Sequence, residues 1–182
     1  MDQPTSERML RALDRFVGEW TMVAGPPGGP SWPGEGRVRF EWLDGGAFLI
    51  QRWTVDLPEA PDGTAIIGCD AANGTYVQLY ADDRGICRVY EMGLRAGEWT
   101  LQREGAPFAQ RFSGIFSADG TTITGRWELA RNGEAWQTDF DVTYTRVTLA
   151  ARSCGRLPTG APHRRHQPPR SPPSSPATRK SA

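Results

Sequence analysis

After Gly18 the apolar residues of this chain recur at every second position, in short runs broken by glycine-containing pairs, and that alternation decides the fold class. Ten such runs stand out: Glu19 to Val23, Gly36 to Trp42, Ala47 to Asp56, Thr64 to Asp70, Thr75 to Ala81, Ile86 to Leu94, Trp99 to Arg103, Phe108 to Phe116, Thr121 to Leu129 and Ala135 to Val147. Asp44-Gly45-Gly46, Asp62-Gly63, Asn73-Gly74, Asp82-Asp83-Arg84-Gly85, Ala96-Gly97, Asp119-Gly120 and Asn132-Gly133 separate them, and such pairs supply the positive φ of tight hairpin turns. Strands joined nearest-neighbour by hairpins form an antiparallel meander, and ten of them curl and close because closure removes unpaired edges. The pattern therefore predicts an all-β, about ten-stranded antiparallel up-and-down barrel, with a flat sandwich as the alternative. Ahead of Gly18 the period is helical. Thr5 and Ser6 are good caps, Glu7 suits the first turn, and Met9, Leu10, Leu13 and Phe16 or Val17 repeat at three- and four-residue spacing. The Gly25-to-Gly34 segment, GPPGGPSWPG, is too rich in Pro and Gly for a strand and is expected as a loop at the barrel mouth or a crossover.

In a barrel the apolar parity of each run nominates the inward face. The inward set includes Val38, Phe40 and Trp42; Leu49, Gln51, Trp53 and Val55; Arg88, Tyr90, Met92 and Leu94; Phe108, Gln110, Phe112 and Phe116; Ile123, Trp127 and Leu129; and Trp136, Thr138, Phe140, Val142 and Tyr144. Tyr76-Val77-Gln78-Leu79-Tyr80 has either parity. Polar residues that interrupt these stripes are the candidate chemistry. An inward Arg88 needs an acid, a ring face or a ligand's anion beside it, because a buried unpaired guanidinium is costly. Arg88 and Tyr90, two apart on one strand, point the same way and suit a carboxylate or polar head, while Gln51, Trp53, Gln78, Tyr80, Gln110 and Trp127 complete the candidate binding wall. The alternative is structural: Arg88 paired with an interior acid or at the rim, and the glutamines as satisfied core amides. Asp139 and Asp141 alternate with Phe140 and Val142 and are expected to face solvent.

Charge divides the chain. The 21 basic and 21 acidic residues cancel overall, yet residues 1 to 147 hold 14 basic and all 21 acidic ones (14 − 21 = −7), and residues 148 to 182 hold seven basic and no acidic residue. All 18 aromatics lie in the first piece, so the domain expected is 1–147, followed by a disordered basic Pro/Ser/Arg-rich tail at 148–182. The tail reads as an RNA- or membrane-surface contact or polyproline ligand, as a segment without specific function, or as GC-rich sequence that was never selected as coding. Both histidines, His163 and His166, belong to it, which weighs against imidazole catalysis, catalytic zinc and histidine-ligated haem in the barrel. No catalytic residue, metal or cofactor is assigned. Cys69, Cys87 and Cys154 support no disulfide framework. No run reaches the roughly 18 apolar residues of a membrane helix and the amino end lacks a signal-peptide pattern, so a cytoplasmic location is expected. The scattered basic residues of the body form no nucleic-acid stripe, and a homodimer stays open.

Gly18-Glu19-Trp20, after a short helix and opening the first strand, resembles the Gly-x-Trp signature of lipocalin-like (calycin) barrels. That resemblance implies that the tryptophan closes one end and that Arg146 lies across it. Leu13 to Trp20, Asp44 to Leu49, Tyr80 to Gly85, Arg88 to Met92, and Phe112-Ser113-Gly114 with Thr124 to Glu128 resemble a DUF1579-type, uncharacterised bacterial family of lipocalin-like barrels. The chain is more remotely similar to nitrobindin-type haem barrels, whose proximal ligand is a histidine where this chain has Tyr144-Thr145-Arg146-Val147. Arg88-x-Tyr90 is similar to the carboxylate-binding Arg-x-Tyr of fatty-acid-binding barrels. The function expected is non-catalytic binding of a small hydrophobic or anionic amphipathic ligand inside the barrel. One alternative is a histidine-free enzyme with Glu91 or Glu128 and Tyr90 as proton donors; the other is a structural module whose core is filled.

Overall fold

The computed structural model describes residues 5–105 and 107–148; tail residues 149–182, with the histidines and Cys154, lie outside them. Helix α1, Ser6–Leu13, starts on Thr5, whose hydroxyl accepts from the Arg8 N–H at 3.3 Å, and runs into a 3-10 turn at Asp14–Phe16. Ten strands follow: β1 Gly18–Gly25, β2 Gly36–Trp42, β3 Leu49–Val55, β4 Gly63–Asp70, β5 Thr75–Asp82, β6 Cys87–Arg95, β7 Glu98–Arg103, β8 Phe108–Phe116, β9 Thr122–Arg131 and β10 Gln137–Arg146. Each pairs antiparallel with its sequence neighbour, and β1 pairs with β10 to close the barrel. The alternative of a flat sandwich is thereby excluded.

One end of the barrel is plugged. Met9 and Leu13 of α1 are buried, the Tyr76 hydroxyl donates to the Met9 carbonyl at 2.8 Å, and Phe16 packs within 5.0–5.2 Å of the Phe40, Trp99 and Phe116 rings. Trp20 closes the seam as expected: its indole N–H donates to the Phe16 carbonyl at 2.7 Å, and the Arg146 guanidinium lies 4.2 Å above its ring. Arg146 in turn donates to the carbonyls of Val17 and Arg15, so first and last strands are latched through the segment that leads out of the helix. Above this plug, Gly114 and Gly125 are cross-strand partners that make a slot for the Phe112 ring. A Cβ on Gly114 would stand 2.6 Å from Phe112 Cζ, and one on Gly125 closer still to that ring.

The outer wall is divided. Around β1, β2, β3, β8, β9 and β10 it carries ion pairs, among them Arg111 with Glu128 and Arg126 with Asp141. Across β4, β5 and β6 it carries an exposed apolar row in which Ile66 pairs with Leu79 and Leu79 with Val89, flanked by exposed Val77. Parity holds along every strand except the last. A β-bulge between Thr138 and Phe140 shifts the register of β10 on β9, so Thr138 pairs with outward Glu128 and Trp136 lies outside the barrel beneath the Arg111 guanidinium, 4.4 Å away. Trp136 and Thr138 are therefore not inward, and the physical reason is the one extra residue that a bulge inserts. No helix among the described residues is long and apolar enough to cross a membrane.

Candidate ligand-binding cavity

The barrel interior between the aromatic plug and the opposite rim is open, with a cavity of about 480 Å³. Arg88, Tyr90, Gln51, Trp53, Gln78, Tyr80, Gln110 and Trp127 all line it. Tyr76, Gln78 and Tyr80 take the inward parity. The 26–35 loop brings Trp32 to the mouth, where its ring packs 5.7 Å from Phe140, and Leu57 to Pro61 form another part of the rim. Trp53 can lie flat against the wall because Gly63 opposite has no side chain; its indole N–H donates to the Pro61 carbonyl at 2.9 Å and its ring stacks on Tyr80 at 5.2 Å.

Arg88 is held by neutral groups. Its guanidinium donates to Gln110 Oε1 at 3.1 Å and lies 4.9 Å from the Phe108 ring, and the Tyr90 hydroxyl donates to the same Gln110 oxygen at 2.6 Å. Among the described residues no carboxylate pairs with Arg88. Burial pushes the Tyr90 phenol above its ordinary value, opposed by a hydrogen bond from Arg88 and then by the Arg88 and Arg103 charges. Arg103 thus contributes to the same field, and its parity with Trp99 and Leu101 is readable along β7. Tyr80 donates to Asp82 at 2.7 Å, and both burial and that bond raise its pKa. Burial opposes ionisation of Asp82, yet hydrogen bonds from Arg84, Tyr80 and the Ile86 N–H hold its pKa at about 2, a carboxylate committed to the β5–β6 turn.

Asp139 is misplaced by alternation together with Trp136 and Thr138, and of the three it lines the cavity. The bulge turns it toward the mouth of the cavity, which it lines, although the residue as a whole is exposed. No glycine or proline marks the bulge in sequence. Burial raises its pKa, with Arg131 pulling it back. A carboxyl whose folded value lies above its unfolded one favours folding below the unfolded pKa and loses that contribution as pH rises through the folded value. Asp139→Asn is accordingly expected to raise the melting temperature at neutral pH, with the gain disappearing below the ordinary aspartate range; calorimetry across pH checks it, and a gain that grows on acidification contradicts the assignment. Asp141 faces outward in its pair with Arg126, as expected. Glu91 is exposed, and Glu128 is bound to Arg111 on the outer wall, so neither acid named for the enzymatic alternative lines the cavity. Nor is the interior filled, as the structural-module alternative required.

Fold and cavity define a class, a closed ten-stranded calycin-like barrel with an internal, mostly apolar chamber. Two solved structures of that architecture are similar to this chain. Rv2717c from M. tuberculosis superposes with a TM-score of 0.56 at 18% identity, covering 81% of this chain and 100% of its own. The S-type phycobiliprotein lyase CPES from Guillardia theta superposes with a TM-score of 0.54 at 13% identity, over 81% of this chain and 100% of its own. At these identities the likeness concerns the fold alone. No family model matches the chain, and no curated protein does. The haem that the nitrobindin likeness implies does not fit the residues present: the described chain has no imidazole, and burial raises the pKa of the cavity's Tyr144, which disfavours the phenolate needed as a substitute ligand. No group of His, Cys, Asp and Glu among the described residues is arranged to hold a metal ion.

Proposed function

We propose that this barrel binds a small amphipathic molecule without transforming it, taking the apolar body between Trp53, Trp127 and Phe140 and an anionic head on Arg88 and Tyr90. The observation that carries the reading is Arg88: a guanidinium facing an apolar chamber, held by uncharged groups (an amide oxygen, the Tyr90 hydroxyl and a ring face), keeps donors free for a carboxylate or similar anion. The Arg-x-Tyr likeness to fatty-acid-binding barrels supports the same head group, and the service of a similar barrel as a phycobiliprotein lyase is compatible with an enclosed site. Native mass spectrometry of protein from its source cells tests the proposal directly. An anionic amphiphile is expected, and its unchanged mass after incubation separates binding from turnover; an empty barrel that also fails to take up medium-chain acids ends the proposal.

Three narrower expectations go with it. The Leu13–Trp20, Asp44–Leu49 and Arg88–Met92 segments support membership of the DUF1579-type family, and a cytoplasmic location is expected, to be checked by fractionation. A homodimer is supported by the apolar row on β4, β5 and β6. That row exposes on the order of 300 Å² of apolar side chain, a large part of the nonpolar share of the roughly 800 Å² per partner in a standard interface. Sedimentation of the full chain is expected to give twice the 20.1 kDa chain mass, and Leu79→Lys with Val89→Lys to halve it; a monomeric wild type at tens of micromolar removes the dimer.

A further inference from the structure

Three arginines crowd one ring at the rim. The guanidinium carbons of Arg88, Arg103 and Arg131 stand 4.9, 5.8 and 5.8 Å from the centroid of the Phe108 ring. Four consecutive strands bring them there. Arg88 comes from β6, Arg103 from β7, where it pairs with Gln110 of β8, and Arg131 of β9 is the cross-strand partner of Phe108. None of the three forms an ion pair among the described residues. On the outer wall arginines are matched to acids, as Arg52 is to Glu41, Arg111 to Glu128 and Arg126 to Asp141. At the rim the partners are neutral: Arg88 donates to Gln110 Oε1 and Arg103 to the Phe108 carbonyl at 3.0 Å. Such partners solvate a charge without cancelling it, so three like charges repel one another around one ring. Residues 1–147 sum to −7, so this is a local reversal of the sign of the domain.

The field of the cluster reaches into the chamber. Arg88 lines it, the Arg103 charge acts on the Tyr90 phenol and the Arg131 charge on the Asp139 carboxyl, and both of those groups line it too. The acids of the neighbourhood are few. Asp139 faces Arg131, which leaves the β6–β9 arc with 3 − 1 = +2. Glu59 lines the chamber from the β3–β4 loop, outside that arc, and is exposed. Glu104 and Glu134 sit with Phe108 in a separate outer cleft; both are exposed, and Glu104 accepts from Gln102. Arg84, the other arginine of the chamber wall, is committed to Asp82.

We propose that the head group of the ligand is a compact dianion, a phosphate monoester, that takes donors from Arg88 and lies in the combined field of Arg103 and Arg131. A carboxylate would answer one of the two surplus charges, and a phosphate monoester, close to doubly ionised at neutral pH and above, answers both. Both charges belong on one group because the three cations surround a single ring. This rests on the binding proposal above and narrows its head group.

The test compares decyl phosphate with decyl sulfate at about pH 8, each displacing a fluorescent apolar probe from the full chain. The two share a chain and a tetrahedral head and differ by about one charge, so shape and burial cancel. Decyl phosphate is expected to bind about tenfold tighter at low salt, and the preference to shrink to about threefold or less in roughly 0.5 M salt. Arg131 is exposed, so replacing it spares the core. Arg131→Gln is expected to reduce the preference to about threefold and Arg131→Lys, which keeps the charge, to preserve it; Arg103→Gln with Arg131→Gln should bring the two ligands near parity. Phosphate binding no tighter than sulfate in wild type overturns the inference, as does a preference that survives the loss of both arginines. If neither ligand displaces the probe, the binding proposal fails and this one falls with it; if both displace it equally, the binding proposal stands and only the dianion is lost.

Discussion

Trp20→Ala is expected to lower unfolding free energy by about 3–5 kcal/mol, as large-to-small changes at filled sites do. Trp20 is 1% exposed, and its removal acts at three places together. The plug loses the ring that meets Phe116 edge-on at 6.4 Å, the Phe16 carbonyl loses its indole donor, and Arg146 loses the face it covers. Burial already works against the Arg146 charge, lowering its pKa, so stripping its ring partner leaves a guanidinium dependent on the Val17, Arg15 and Gly120 carbonyls. Trp20→Phe keeps a ring and loses the N–H, and is expected to cost about 1–3 kcal/mol. Urea unfolding followed by the remaining tryptophans measures both. Equal losses in the two variants would show that the indole bond, rather than ring packing, dominates the seam.

Arg88→Leu is expected to weaken binding of a medium-chain acid about 10- to 100-fold, the range of one charge-assisted hydrogen-bonding contact. A neutral alcohol of the same length should bind no worse than to wild type, because leucine extends the apolar wall. Stability of the unliganded protein should hold or rise, since Arg88 has no carboxylate to abandon and Gln110 keeps the Tyr90 hydroxyl. Displacement titrations with the acid and alcohol pair measure the split. Equal loss for both would mean that the chamber had collapsed and that Arg88 had been a wall residue.

How far the chain discloses this arrangement depends on how local the determinant is. The ten strands follow from alternation and from turns such as Asn73-Gly74, each within a few residues, and their observed ends fall near those expected. The eight wall residues share one chamber because side-chain parity is as local as the strand. Two things were not legible. The bulge that aims Asp139 at the mouth is a disagreement between β9 and β10 over register, and nothing inside Trp136-Gln137-Thr138-Asp139-Phe140 announces it. Whether large residues fill a barrel or leave it open depends on how rings nest, and here Phe16, rising from the helix, and the glycine slot beneath Phe112 gather the bulk at one end. The free volume at the other end is a sum over the whole molecule.

The seam between β1 and β10 has a kinetic consequence. Nine of the ten strand pairings join neighbours in the chain and form across turns or loops of at most ten residues, whereas Trp20 meets Arg146 only after nearly the whole barrel has been made. Until then the chain is a curled ribbon with two bare edges, each a template for another molecule. The long-range closure of the barrel is thus concentrated at one junction, which carries the loop-closure entropy of the entire meander. The Trp20–Arg146 latch therefore governs how long the molecule spends as an open, aggregation-competent ribbon as well as how stable it is once shut.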